Sequence, residues 1–429
     1  MTGASGVRRL PRAYRVWLGG ALGSLLGDAV LYFALGWAAA AHGGAAAGLV
    51  LTSITLPRTA LLLVGGALGD RLGARRVMIA GDVAMIAVAL SLCLMVWRVG
   101  APLWLLVATG LLIGVVDAFY LPASGSMPRR LVGTELLPKA LALRQTGAQL
   151  VTMAGGALGG LLVAAGGLGA AAAFDAVTFA FMLGALMAIR PTRAEPRAPG
   201  SSGVLRDAGD GVRVAWRDPV LRAALALTAC AAGALLPVVS LLVPLLARDR
   251  GWEAGTAGLV VGAQSLGIVC SAGWVARRGG ARRPGLAAAL GLLVAGCGAG
   301  ALALAGSSPV AAGGAALLVG LGNGLFAAHL APLVLASAPD THLSRLQALM
   351  ALVQSGALLL MNNVLGGLAQ GAGPTAALGA SAAILTVAAL AALAHAPLRG
   401  HRGPESGDGL VRDPVLHAAA APERTAGGA

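Results

Sequence analysis

Charge is what this chain has least of. Asp, Glu, Lys and Arg together make up 11% of its 429 residues, whereas a water-soluble domain carries about 25%. An ordinary soluble globule is therefore excluded. Aromatics are scarce too, at 4%, so the apolar bulk is aliphatic. The four cysteines, Cys93, Cys230, Cys270 and Cys297, each fall in a different apolar run. None has the loop spacing of a disulfide framework or a metal site, and they read as small core hydrophobes. No Gly-x-x-x-x-Gly-Lys-Ser/Thr loop occurs, so ATP is not the expected energy source. No hydrolytic triad or metal cluster stands out either. The expectation is a protein that is not an enzyme, has no catalytic residues and needs no cofactor or metal.

What is present is a long succession of apolar runs. Hydrophobic residues make up 57% of the chain, and the mean hydropathy is +0.82. Spans of about 20 residues are expected at 16–40, 46–68, 77–97, 102–122, 141–165 and 169–189. A second set follows at 221–246, 256–276, 285–306, 310–336, 346–370 and 374–397. The run after Arg8, Arg9, Arg12 and Arg15 is too long for a signal h-region and reads as an uncleaved first helix.

Twelve spans with both termini in the cytoplasm can be tested against the charges. Of the 31 Lys and Arg, Arg98, Arg248 and Arg250 fall on the outer side and nearly all the rest on the inner side, a strong positive-inside bias. Trp17, Trp216 and Trp274 sit at the inner boundary, and Trp37, Trp97, Trp104 and Trp252 at the outer one, as in an aromatic belt. The net charge of +14 is thus an orientation signal, and no nucleic-acid partner is expected.

The expected organisation is a cytoplasmic N-terminus (1–15), a first helical bundle (16–189), a linker (190–220), a second bundle (221–397) and a polar, disordered tail (398–429). The linker opens with Pro191, Pro196, Pro199 and Ser201-Ser202, a breaker pattern. Beyond it Val204, Leu205, Ala208, Val212, Ala215 and Trp216 share a helical face, which suits a helix lying on the membrane surface.

The two halves also resemble each other. Gly273, Arg277, Gly280, Arg282 and Arg283 repeat the spacing of Gly66, Asp70, Gly73, Arg75 and Arg76, with Arg277 in place of the acid. Gly114 to Pro122 matches Gly324 to Pro332, and Gln145-Thr146-Gly147-Ala148 matches Gln354-Ser355-Gly356-Ala357. Three matches in one order point to a parallel internal repeat.

The stretch that carries most information is Gly66-Ala67-Leu68-Gly69-Asp70-Arg71-Leu72-Gly73-Ala74-Arg75-Arg76. It resembles the cytoplasmic loop between helices 2 and 3 of the major facilitator superfamily. The resemblance implies an all-α membrane fold of twelve helices in two pseudo-symmetric six-helix bundles. Gly27-Asp28, Phe119-Tyr120-Leu121-Pro122-Ala123, Pro128, Leu131-Val132 and Phe174-Asp175-Ala176 are similar to the macrolide-efflux and siderophore-exporter branch. Gly155-Gly156-Ala157-Leu158-Gly159-Gly160 partly matches the span-5 motif of drug/proton antiporters, with Gly156 in the place of a proline. By the same resemblance Gly66, Asp70, Arg71, Gly73, Arg75 and Arg76 form a conformational latch, with Asp70 facing Arg345.

Charged groups inside spans each cost at least about 2.5 kcal/mol and so mark function. Asp28 lies near mid-membrane, placed either to carry a coupling proton or to form an ion pair with Arg58. Asp117, beside Pro122, suits a cavity role or an interfacial pair. Asp175 reads as an interface pair. Together Asp28, Arg58 and Asp117 are the candidates for proton coupling. Gln145, Gln149, Gln264, Asn323, His329, Gln354 and Asn362 are the candidates for a substrate cavity, with interhelical hydrogen bonding as their other reading. This pattern implies a monomeric secondary transporter in the cell membrane whose partners are protons, lipid and a small molecule. Its expected activity is proton-coupled efflux of lipophilic or amphipathic molecules. An importer or uniporter of the same fold, or a non-transporting receptor or scaffold, is the alternative.

Overall fold

Residues 10–189, 218–337 and 343–400 are described by the computed structural model of the chain; the side chains of 62–70, 335–337, 343–345, 347, 348 and 400 lie outside that description. The chain begins with α1 (Arg12–Ala40), α2 (Gly44–Leu72), α3 (Ala74–Val99) and α4 (Leu103–Leu131). A 3-10 turn at Thr134–Leu136 leads into α5 (Leu137–Ala188). Next comes one rod, Pro219–Asp249, made of α6 (Pro219–Ala234), a π turn at Val238–Leu242 and α7 (Val243–Asp249). The chain continues with α8 (Ala254–Arg278), α9 (Pro284–Leu304) and α10 (Pro309–Ser337). It then forms α11 (Leu343–Ala372), α12 (Pro374–Ala394) and the short α13 (Ala396–Gly400). Among the described residues ten helical stretches are long and apolar enough to cross a membrane. The expected surface helix at 204–217 and the tail from 401 lie outside the described residues.

Glycine and capping chemistry set the breaks. A straight helix of 52 residues would run about 78 Å, more than twice the hydrocarbon thickness. α5 is broken at Gly166 and at Gly167, where φ is 67°, a left-handed value that favours glycine. Its first limb (137–165) runs parallel to α1: Gly147 abuts Leu22, Gly155 abuts Ala29 and Gly159 abuts Phe33. Its second limb (168–188) runs antiparallel: Asp175 and Thr178 face Gly27, and Met182 faces Gly20. α6 starts where the Asp218 carboxylate accepts from the Val220 and Leu221 amides at 2.7 and 3.1 Å, with Pro219 in the first turn, a sound N-cap. One expectation fails at a boundary. α4 does not stop at Pro122 but runs on to Leu131 with Pro122 and Pro128 inside it. A proline removes one backbone donor, and packed neighbours let a membrane helix continue through that loss.

Small residues bring the helices together, since lipid supplies no hydrophobic drive between them. α2 and α4 touch where Gly110 meets Ser53 and Gly114 meets the Ile54 carbonyl. In the second half Gly320 meets the Gln264 carbonyl and Gly322 meets Gly291. The helices before residue 190 pack chiefly on one another, as do those after 218. The two groups meet along α2 with α11 and along the first limb of α5 with α8.

Candidate functional site

Four carboxylates converge inside the first group of helices: Asp28 on α1, Asp82 on α3, Asp117 on α4 and Asp175 on the second limb of α5. Asp82 and Asp175 are fully buried and Asp117 nearly so. The other three acids and Arg58 all lie within electrostatic reach of Asp28. Local packing explains the convergence. α2 and α4 run in parallel, with Ser53 and Ile54 against Gly110 and Gly114. One turn further on, Arg58 Nη1 stands 3.8 Å from Asp117 Oδ2. Tyr32, one turn beyond Asp28 on the same face of α1, donates its hydroxyl to that same oxygen at 2.7 Å. Arg58 is therefore paired with Asp117 rather than with Asp28.

The glycine before Asp28 brings in a further acid. A Cβ on Gly27 would stand 2.6 Å from Asp175 Oδ1 and would collide with Thr178 Oγ1. Gly81 similarly leaves room for the Tyr120 ring, whose buried hydroxyl lies in reach of Asp82 and Ser24 without a hydrogen-bond partner among the described residues. The Tyr120 ring is steadied edge-on against Phe179 at 6.0 Å between centroids. Among the described residues Asp28 Oδ1 and both oxygens of Asp82 and Asp175 are buried without a hydrogen-bond partner.

Among the described residues the two helical groups touch toward one end. Call the end bearing Arg12, Leu137 and Arg278 the near face, and the end bearing Ala40, Gly167 and Asp249 the far face. At the far face Gly44 packs on the Gly366 carbonyl, Gly48 on the Asn362 carbonyl, and Gly160 on Gly258. Asn363 Nδ2 donates to Thr52 Oγ1 at 2.8 Å. Arg248 Nε donates to the Trp37 carbonyl at 2.9 Å. The stripe of α5 that meets α8 at Gly156 and Gly160 continues toward the near face through Gln149 and Gln145, by steps of seven and four residues. There Gln145 and Gln149 are exposed. A cavity of about 490 Å³ opens beside them, lined by Leu141, Ala142, Arg144, Gln145 and Ala148. Among the described residues the halves are thus closed together at the far face, while the α5 stripe is uncovered toward the near face.

A family model described as Major Facilitator Superfamily matches residues 17–362, most of the chain. The chain belongs to the Major Facilitator Superfamily. A curated relative, the multidrug efflux pump Tap of Mycolicibacterium fortuitum, is 28% identical over 257 residues, which are 56% of this chain and 61% of that protein. The match thus spans about three fifths of the relative's length. Among solved structures, a POT family transporter in complex with a thioalcohol-conjugated peptide superposes with a TM-score of 0.72 at 14% identity, covering 90% of this chain and 96% of that one. The nucleoside transporter NupG gives 0.69 at 12% identity, covering 90% and 99%. A bacterial metal transporter gives 0.65 at 18% identity, covering 91% and 100%. At these identities the structures show a shared fold and nothing finer.

Within that fold the other candidate residues fall in different places. Asn362 is buried at the far-face contact with α2, its side-chain oxygen without a partner among the described residues. Gln264 is buried where α8 meets α10. Asn323 is half-buried and Gln354 exposed. His329 is buried near the loop after α8, where its Nε2 accepts from the Ala281 amide at 3.1 Å. Its Nδ1 lies 2.8 Å from the Leu325 carbonyl; with Nε2 accepting, that nitrogen is the donor. In this arrangement both ring nitrogens are engaged.

Among the latch residues, Gly73 has φ of 88° and turns the chain between α2 and α3. Arg75 reaches across to the end of α5, donating to the Leu186 carbonyl at 2.9 Å and the Met187 carbonyl at 3.4 Å. That places a cation on the last carbonyls of a helix, where the dipole favours it. Arg71 and Arg76 are exposed. The side chains of Asp70 and Arg345, and the surroundings of Gly66, lie outside the described residues.

Asp82, Tyr32, Tyr120 and Arg144 are absent from the sequence-derived site. Asp82 carried the same signal as Asp28, an acid inside an apolar run. Tyr32 and Tyr120 carried no such signal, because an aromatic in an apolar span is ordinarily core.

Proposed function

We propose that this protein is a proton-coupled exporter of small lipophilic or amphipathic molecules that works by alternating access. The reading takes α5 as two spans and counts α2 with the ten other stretches, which makes twelve spans in two six-helix bundles. It puts both termini in the cytoplasm of a plasma-membrane protein, so the near face is cytoplasmic and the conformation is open inward. The observation that carries the proton coupling is the cluster of the buried Asp82, Asp117 and Asp175 with the half-buried Asp28, and Arg58 in reach. One guanidinium balances one carboxylate, and charge balance in hydrocarbon then asks for protons on the others. Protonation shared across such a cluster is a two-state charge that a membrane pH gradient can drive. Efflux as the direction draws on the likeness to a protein named as a multidrug efflux pump. The apolar character of the second half, with a few amides as hydrogen-bonding groups, suits a lipophilic cargo better than a sugar or a phosphate.

The test is uptake of a lipophilic dye into inverted membrane vesicles on imposing an inside-acid pH gradient, with the native chain and with Asp28→Asn. Uptake that collapses with an uncoupler and is lost in Asp28→Asn is the expected result. Uptake that persists in the variant would move the proton site to Asp82, Asp117 or Asp175. Absence of gradient-driven uptake for a range of dyes would favour an importer, a uniporter or a scaffold.

A further inference from the structure

Arg144 lies in the first limb of α5, seven residues from its start, so about 10 Å along the helix axis. A long side chain that close to an interface ordinarily extends outward to water. This one turns inward. Its guanidinium carbon lies 5.5 Å from the centroid of Trp17, which is fully buried on α1. One terminal nitrogen donates to Ser124 Oγ on α4 at 3.4 Å. The backbone beneath it is tied down as well, since the Tyr14 hydroxyl donates to the Ala140 carbonyl one turn earlier.

Stacking on an aromatic face and a neutral hydroxyl contact hold a guanidinium in place without neutralising it. Among the described residues no carboxylate lies within ion-pairing distance of Arg144. Arg144 also lines the cavity of about 490 Å³, together with Gln145 and the apolar Leu141, Ala142 and Ala148. That volume suits a small-molecule site.

We propose that Arg144 is the anion-recognising residue of the near-face cavity, and that the cavity takes an amphipathic molecule bearing a carboxylate, sulfonate or phosphate on an apolar body. The fork of a guanidinium matches such a group with two parallel hydrogen bonds. Leu141 and the alanines face the body, and Gln145 adds a polar contact at the rim. The same chemistry is offered by a free amphiphile and by an anionic lipid headgroup of the near leaflet. This inference rests on the exporter reading only for the purpose of binding; the anion site itself is an equilibrium property and needs no gradient.

The experiment uses the full chain in nanodiscs of phosphatidylcholine, titrated with a dansylated undecanoate and with its uncharged primary-amide counterpart. The native protein is expected to bind the carboxylate saturably and at least tenfold more tightly than the amide. Arg144→Gln is expected to abolish that preference by weakening the carboxylate alone, and Arg144→Lys to keep part of it. Equal binding of acid and amide by the native protein overturns the proposal without any variant, and so does an unchanged preference in a folded Arg144→Gln. Repeating the titration with phosphatidylglycerol in the disc separates the sources: displacement of the probe that disappears in Arg144→Gln assigns the site to lipid, and no displacement assigns it to the free amphiphile. Loss of gradient-driven uptake with anion preference intact would count against export and leave this site standing.

Discussion

The guanidinium of Arg248 lies 4.3 Å from the centroid of the Trp37 ring, and its Nε donates to the carbonyl of the same residue at 2.9 Å. One side chain of the second half is thus held twice by one residue of the first. Both belong to the far face, where the halves meet.

Removing that contact should loosen the closure. A half-buried cation–π pair contributes about 1 kcal/mol, and a hydrogen bond from a charged donor about 1.5 kcal/mol. Arg248→Ala should therefore shift the balance between far-closed and far-open forms by tenfold or more. Spin labels placed across the far face would report it as a new, longer distance population. An unchanged distribution would mean that the glycine contacts alone hold the face shut.

The glycine contacts make a separate prediction. A Cβ on Gly48 would stand 2.5 Å from the Asn362 carbonyl, and one on Gly160 would stand 2.6 Å from the Ala254 carbonyl. Backbone cannot yield as a flexible side chain can. Gly48→Val and Gly160→Val should block far-face closure and cut transport by more than tenfold. Gly23→Ala, with nothing within 4 Å of its Cβ, should leave transport as it was. A cysteine at Asn362, which is buried at this contact, should, in a chain freed of its native cysteines, become reactive to an impermeant thiol reagent in the blocked variants. Continued protection there would show that the helices shift to accept the larger side chain.

Tyr32 supplies a third. Its hydroxyl donates to Asp117 Oδ2 at 2.7 Å, the oxygen that Arg58 also approaches. Tyr32→Phe removes a hydrogen bond of about 1 kcal/mol and none of the ring's packing. Gradient-driven uptake should slow by about fivefold, with equilibrium binding of the dye unaltered. A matching loss of dye binding would instead assign Tyr32 to the substrate.

Superfamily membership was legible from the residues between Gly66 and Arg76, because the connection between α2 and α3 needs glycine at a left-handed backbone position and cations just past a span. Asp28 was legible as an acid in hydrocarbon, and so were Arg58 and Asp117. Their pairing was not. Asp28 and Arg58 looked like partners by depth alone, and the parallel packing of α2 on α4 gave Arg58 to Asp117. Asp175 resembled an interfacial residue by its place in the chain. The bare backbone of Gly27 draws it inward against the neighbour of Asp28. Arg144 was hidden because, in a linear reading, an arginine near a span's end is a positive-inside charge.

By itself the sequence determined which segments lie in a membrane and which superfamily they build. Those properties follow from the length of apolar runs, the placement of cations and short local motifs, all written along the chain. The tertiary structure alone decided which acids share one cluster, which face is shut and which way Arg144 points. Those depend on contacts between helices far apart in sequence, set by where glycine lets two backbones meet.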